Sequence, residues 1–314
     1  MVSFIIRRIA SLIPVAFVVV VVTFSLIHLT PGNPAYTILG EQASSQAVHR
    51  LDVKLGLTLP LWQQFIMYLE HVLEGNLGVS LLDGQPVLTL IVTRLPVTLE
   101  LAALAVLVSL LVALPTGILA AYRPNTWIDS LSRLLALVGA AVPNFWLALL
   151  LVYFFAVNLK WLPSLGWVPL TQSVGSNIVH LILPVLILAF PLAAVTSRVL
   201  RGELLEVMRV LYIQVARAKG VNEWTVVMRH GLRNALVPVV TVIGLQIGGL
   251  LGGVVITESI FSLPGMGQLV VNAIFDRDYP VLDGSVLFMA VVVLVANLAV
   301  DLVYAWLDPR IRYQ

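Results

Sequence analysis

Six apolar stretches, at 9–30, 97–122, 134–157, 178–198, 235–257 and 284–307, leave this chain few ways to fold. Each is long enough to cross a bilayer, which takes about 20 mostly apolar residues. The few charges they carry sit near their ends. Lipid offers the backbone no hydrogen-bond partners, so each stretch must satisfy its own N–H and C=O groups, and a helix does so. Only 11% of the residues are charged and 60% are hydrophobic, whereas soluble domains run near a quarter charged. The expectation is an all-α polytopic membrane protein with six transmembrane helices in a single domain over 1–314.

Charge sets the orientation. With six spans both termini lie on one side. Placing them in the cytoplasm puts 13 of the 18 Lys and Arg residues inside, as the positive-inside rule requires. Arg7 and Arg8 ahead of the first apolar run resemble an export signal. That run is too long for a signal h-region and no small-x-small site follows, so a permanent first helix is the better reading.

The sequence also excludes chemistry. There are no cysteines, which removes disulfides, thiolate metal sites and thiol nucleophiles. No phosphate-binding loop, zinc-binding His-Glu-x-x-His or Gly-x-Ser-x-Gly elbow occurs. The five histidines (His28, His49, His71, His180, His230) have no metal-ligand spacing. Catalytic residues, a metal site, a bound cofactor and a nucleic-acid partner are therefore not expected.

The extracytoplasmic segment 31–95 is long for a membrane loop. Trp62, Ile66, Leu69 and Leu73 fall on one helical face, which predicts an amphipathic helix over 61–73. It would serve as a stabilising lid or as a platform for an external partner. A short interfacial helix is expected over 269–275, after the turn at Leu263-Pro264-Gly265. In the fifth stretch Gly244, Gly248 and Gly252 recur every four residues, with Gly249 and Gly253 alongside. Such spacing lets helix backbones approach closely, either for packing within the chain or around a substrate path. Gln246 and Asn144, the latter beside a kinking Pro143, are candidate pore-lining residues. Glu100, Glu258 and Asp301 are candidate intramembrane polar sites, or carboxylates that reach the interface or cap helices.

Seven Lys and Arg residues fall between 198 and 233, in and just before the loop 199–234, yet positive-inside charge alone explains them. Its pattern is more telling. Good helix formers run from Glu203 to Lys219, Gly220 can supply a left-handed helix end, and Asn222 can cap a second helix from Glu223. Two short helices joined at glycine would make a rigid knob below the membrane, with Pro238 opening the next span.

Ala216-Arg217-Ala218-Lys219-Gly220, followed by Arg229-His230-Gly231-Leu232-Arg233-Asn234-Ala235-Leu236-Val237-Pro238, resembles the cytoplasmic "EAA" loop of ABC importer permeases. More narrowly, the chain is similar to the dipeptide/oligopeptide/nickel permease family, and to its first-permease subunit. The match extends to Arg94–Leu101, Pro143–Ala148, Gly56-Leu57 with Pro60–Gln64, Pro264–Gly267, Arg277–Pro280 and Asp308–Tyr313. Gln214 and Val215 stand where the general motif has Glu and Ala, and Leu211 where the family often has an acid. The resemblance implies a type I importer permease fold in the inner membrane. It implies a heterodimer with a second permease and two ABC ATPase subunits that bind ATP and Mg. An extracytoplasmic solute-binding protein would deliver peptides. The coupling surface would be Ala216, Arg217, Ala218, Lys219, Gly220, Val221, Asn222 and Glu223. Nickel, a metal chelate or glutathione is an alternative cargo. An ion-coupled secondary transporter is the alternative of another class, and the lack of an obvious internal repeat speaks against it.

Overall fold

The computed structural model describes residues 2–29, 34–39, 42–54 and 56–307, with side chains at 10–25, 35, 36, 39, 42–53, 56–300 and 302. Thirteen helices follow one another among these residues. They are α1 (Val2–Leu29), α2 (Pro34–Leu39), α3 (Ser45–Lys54), α4 (Leu61–Leu73), α5 (Val87–Tyr122), α6 (Trp127–Ala141) and α7 (Asn144–Leu151). Then come α8 (Val174–Val207), α9 (Leu211–Ala218), α10 (Glu223–Thr225), α11 (Leu232–Phe261), α12 (Met266–Phe275) and α13 (Tyr279–Leu307). A π-helical stretch, Val152–Asn158, extends α7, and another, Val226–Gly231, joins α10 to α11. The only β pairing among the described residues is an isolated bridge between Val79 and Pro86.

By length and composition, Val87–Tyr122, Val174–Val207, Glu223–Phe261 and Tyr279–Val300 can each cross a membrane, and α6 with α7 makes a fifth if that bent pair is one span. Ala10–Ser25 is a shorter apolar helix among the described residues. The third apolar stretch is broken rather than kinked: α6 and α7 meet at 106°. Pro143 cannot donate a backbone hydrogen bond, and it forces the preceding residue out of the helical region. Val142 accordingly sits at φ −79° and ψ 123°.

The helices fall into two compact units. One comprises Leu99–Leu263 with the chain from Ala296 onward. Here α8 packs against both α6 and α11. At one end of α8, Leu200 and Leu204 form a buried core with Ile118, Ala121, Val227, Ala235 and Val239. Gly139 of α6 faces Ala194 of α8 so closely that a Cβ there has no room.

The other unit comprises Val2–Thr98 and Pro264–Val295. Its core joins Val87 and Ile91 of α5 to Met266 and Ala273 of α12 and Val281 of α13. The Thr98 hydroxyl accepts the Met266 N–H at 2.8 Å. Asp278, 3% exposed, accepts from the Ser80 hydroxyl at 2.5 Å and the Leu81 N–H at 3.2 Å. The helix expected over 61–73 is present as α4. Phe65 and Tyr68 touch α1 through Phe17, Phe24 and Thr23, while Trp62, Ile66 and Leu73 are exposed. Aromatic rings between the aliphatic positions made the closer contact.

Candidate functional site

The elbow between α8 and α11 is built by local rules. α8 ends at Val207, and α9 restarts at Leu211 after the non-helical Val210. The expected continuous helix over 203–219 is thus two helices. Gly220 then takes φ +78°, a conformation that costs any residue with a Cβ about 1–2 kcal/mol. The Asn222 side chain accepts the Trp224 N–H at 2.9 Å, capping α10. The second helix is not short: α10 runs on through the π turn into α11. Pro238 consequently lies inside α11 rather than opening it.

Side chains then lock the elbow. Arg217 grips Glu223 with two parallel hydrogen bonds, Nε to Oε2 at 2.9 Å and Nη2 to Oε1 at 2.5 Å. This closes the turn around Gly220. The Glu223 carboxylate also holds the Arg217 guanidinium above its ordinary pKa. Both side chains are solvent-exposed, 40% and 44%, so the pair adds geometry more than stability. Tyr212 donates to the His230 carbonyl at 3.2 Å and accepts from Asn234 at 2.6 Å. Ile213 and Val227 are buried, and Trp224 stacks edge-on against Tyr122 of α5. The elbow is therefore packed against α5, α8 and α11.

The outward surface of the elbow is unlike a solvated loop. Leu211, Tyr212, Val215 and Trp224 are exposed alongside Arg217 and Lys219. Ala218, Gly220 and Asn222 are also exposed; Ala216 and Val221 are half-buried. The eight positions singled out in sequence run from the end of α9 through the turn at Gly220 to the start of α10.

A second grouping lies among the membrane helices. Asn144, Gln246, Gly249 and Gly253 line one cavity of about 250 Å³ with Leu188 and Pro191. Gln246 donates to the Thr196 hydroxyl at 3.1 Å, and Gly253 lies against the Asn144 amide. The glycines do not act as one stripe. Gly244 is pressed against Val300, Gly248 sits beside Asn297, and Gly249 and Gly252 face open space. Of the candidate carboxylates, Glu100 accepts from the Trp167 indole at 3.4 Å, and Glu258 is fully buried. The side chain of Asp301 lies outside the described residues.

One strong polar contact escaped the sequence. Asp129, fully buried, receives both Arg201 Nη2 at 2.8 Å and the Asn125 N–H at 3.0 Å, with Arg133 at 3.7 Å. Asp129 reads as an ordinary first-turn acid and Arg201 as one more positive-inside charge. Only the packing of α6 on α8 pairs them.

The chain matches the family described as "Binding-protein-dependent transport system inner membrane component" over residues 113–313. Residues 1–102 match the description of that system's membrane component N-terminal region. This chain belongs to that family. The dipeptide transport system permease protein DppB of Alkalihalophilus pseudofirmus is 42% identical, with 100% of each chain covered. A putative peptide transport system permease protein of Brucella abortus is 44% identical over 100% of each chain. The glutathione transport system permease protein GsiC of Escherichia coli is 40% identical over the same shares. Among solved structures, the inward-facing MetNI methionine ABC transporter matches with TM-score 0.57 at 19% identity, covering 70% of this chain and 97% of that one. The fold of this family member is thus that of ABC importer permeases, helical throughout its described residues apart from loops and turns.

Proposed function

We propose that this chain is a permease subunit of an ATP-driven importer, forming half of a translocation pore for peptides brought by an extracytoplasmic binding protein. One observation carries the reading. An elbow with exposed apolar and basic side chains is packed onto the ends of α5, α8 and α11, in a chain with no phosphate-binding loop of its own. Such a surface suits the cleft of a nucleotide-hydrolysing partner, whose closure it would pass to the helices. On this reading the elbow and both termini are cytoplasmic. Two ATPase subunits bind ATP and Mg, and a second, homologous permease completes the pore. The cavity around Asn144 and Gln246 is the candidate lining. Relatives named for dipeptide and peptide transport support the cargo.

The test uses the assembled transporter. Gly220→Trp and Arg217→Glu should abolish cargo-stimulated ATP hydrolysis while leaving membrane insertion unchanged. Full stimulation in both variants would overturn the elbow's role. A second cargo, glutathione, is favoured by the relative named for it; calorimetry of the cognate binding protein against both cargos separates the two.

A further inference from the structure

One cavity in the unit of Val2–Thr98 and Pro264–Val295 contains a carboxylate that the transport reading does not use. The cavity measures about 240 Å³. A cavity of about 150 Å³ holds benzene, so an amino-acid-sized group fits. Leu57, Leu77, Leu81 and Pro280 supply apolar wall, and Tyr279 and Asp283 line it as well. Asp283 is 4% exposed, and neither of its carboxylate oxygens has a hydrogen-bond partner. The Tyr279 hydroxyl, equally buried, is also unpartnered.

Burying a charge without a partner is expensive, and native proteins rarely leave one so. The same unit satisfies a carboxylate where only structure is at stake: Asp278 has Ser80 and the Leu81 N–H. Asp283 has no such arrangement, and it opens onto space. An anion would gain no counter-charge from a carboxyl group. A hard metal ion needs about six oxygen ligands, and no group of three metal-binding side chains occurs among the described residues. What fits is a single positive charge with N–H donors on a short apolar stem.

We propose that this cavity binds a primary alkylammonium group, with Asp283 as its counter-ion, Tyr279 as a neutral acceptor and the Leu77–Leu81–Pro280 wall packed on the stem. The group can come from a free amine or from the amino terminus of a peptide. The site stands independently of which cargo the transporter carries.

The experiment is calorimetry on the assembled transporter in detergent. The probes are n-butylammonium, dialanine and N-acetyl-dialanine, with butanol as the uncharged control. Saturable butylammonium binding is expected, weaker by at least about tenfold in Asp283→Asn, which removes a charge-assisted bond without changing shape. Dialanine competing while N-acetyl-dialanine does not identifies a peptide terminus as a source; competition by neither leaves free amines as the ligand. Should Asp283→Asn fail to fold, Leu81→Trp fills the cavity and should abolish binding with the carboxylate intact. Butylammonium binding no better than butanol, or equal binding in these variants, overturns the proposal. So does an infrared band showing Asp283 still protonated at saturating amine.

Discussion

Gly220 sits at the tip of the elbow with φ +78° and nothing within 4 Å of where a Cβ would stand. Its constraint is therefore purely backbone. Gly220→Ala should cost about 1–2 kcal/mol of local stability and fray α9, seen as faster amide exchange over 211–219. Gly220→Trp carries the same backbone cost and adds bulk at an exposed position, so the loss it shows beyond Gly220→Ala belongs to docking. Asp129 is the opposite case, a buried charge whose worth lies in its partner. Asp129→Ala strands Arg201, which is 20% exposed. Breaking a buried pair costs about 3–5 kcal/mol, and this partial exposure places the effect at the lower end. The double variant Asp129→Leu, Arg201→Met should recover most of it in thermal unfolding, because both desolvation costs disappear together. A double variant no better than the single one would show that the pair does not act as a unit. Neither partner announces itself in sequence, since the contact joins residues 72 apart.

At the scale of elements, identical residues in one repeat have different jobs. A Cβ on Gly244 collides with Val300, whereas one on Gly252 meets nothing. Gly244→Ala should destabilise the chain by about 1–3 kcal/mol through overpacking, and Val300→Ala in the same chain should restore it. Gly252→Ala should be neutral or slightly stabilising for the isolated chain, since alanine is the better helix former by about 1 kcal/mol. Comparing detergent melting curves of the three variants checks this. The four-residue spacing was legible, but which glycine is buried depends on where α13 lies beside α11. The break at Pro143 was half legible. Proline foretold a disturbed helix; the 106° turn depends on both halves finding separate packing, α6 on α8 and α7 on α8 and α11.

For the whole molecule the decisive expectation is energetic. Uptake by the assembled transporter should stop on ATP depletion and persist when ion gradients are collapsed, and affinity purification should bring ATPase subunits with this chain. Uptake that survives without ATP would return the ion-coupled alternative. The sequence by itself determined the helical class, the membrane environment and the place of the elbow. Those follow from local or averaged properties: runs of apolar residues, a low share of charged ones, and a glycine followed by a capping asparagine. The tertiary structure decided what is long-range. It paired Asp129 with Arg201, set Gly244 apart from Gly252, turned Phe65 rather than Trp62 toward α1, and left Asp283 facing a cavity without a partner. A side chain's neighbours across a helix bundle are fixed by how whole helices pack, and no short stretch of sequence encodes that.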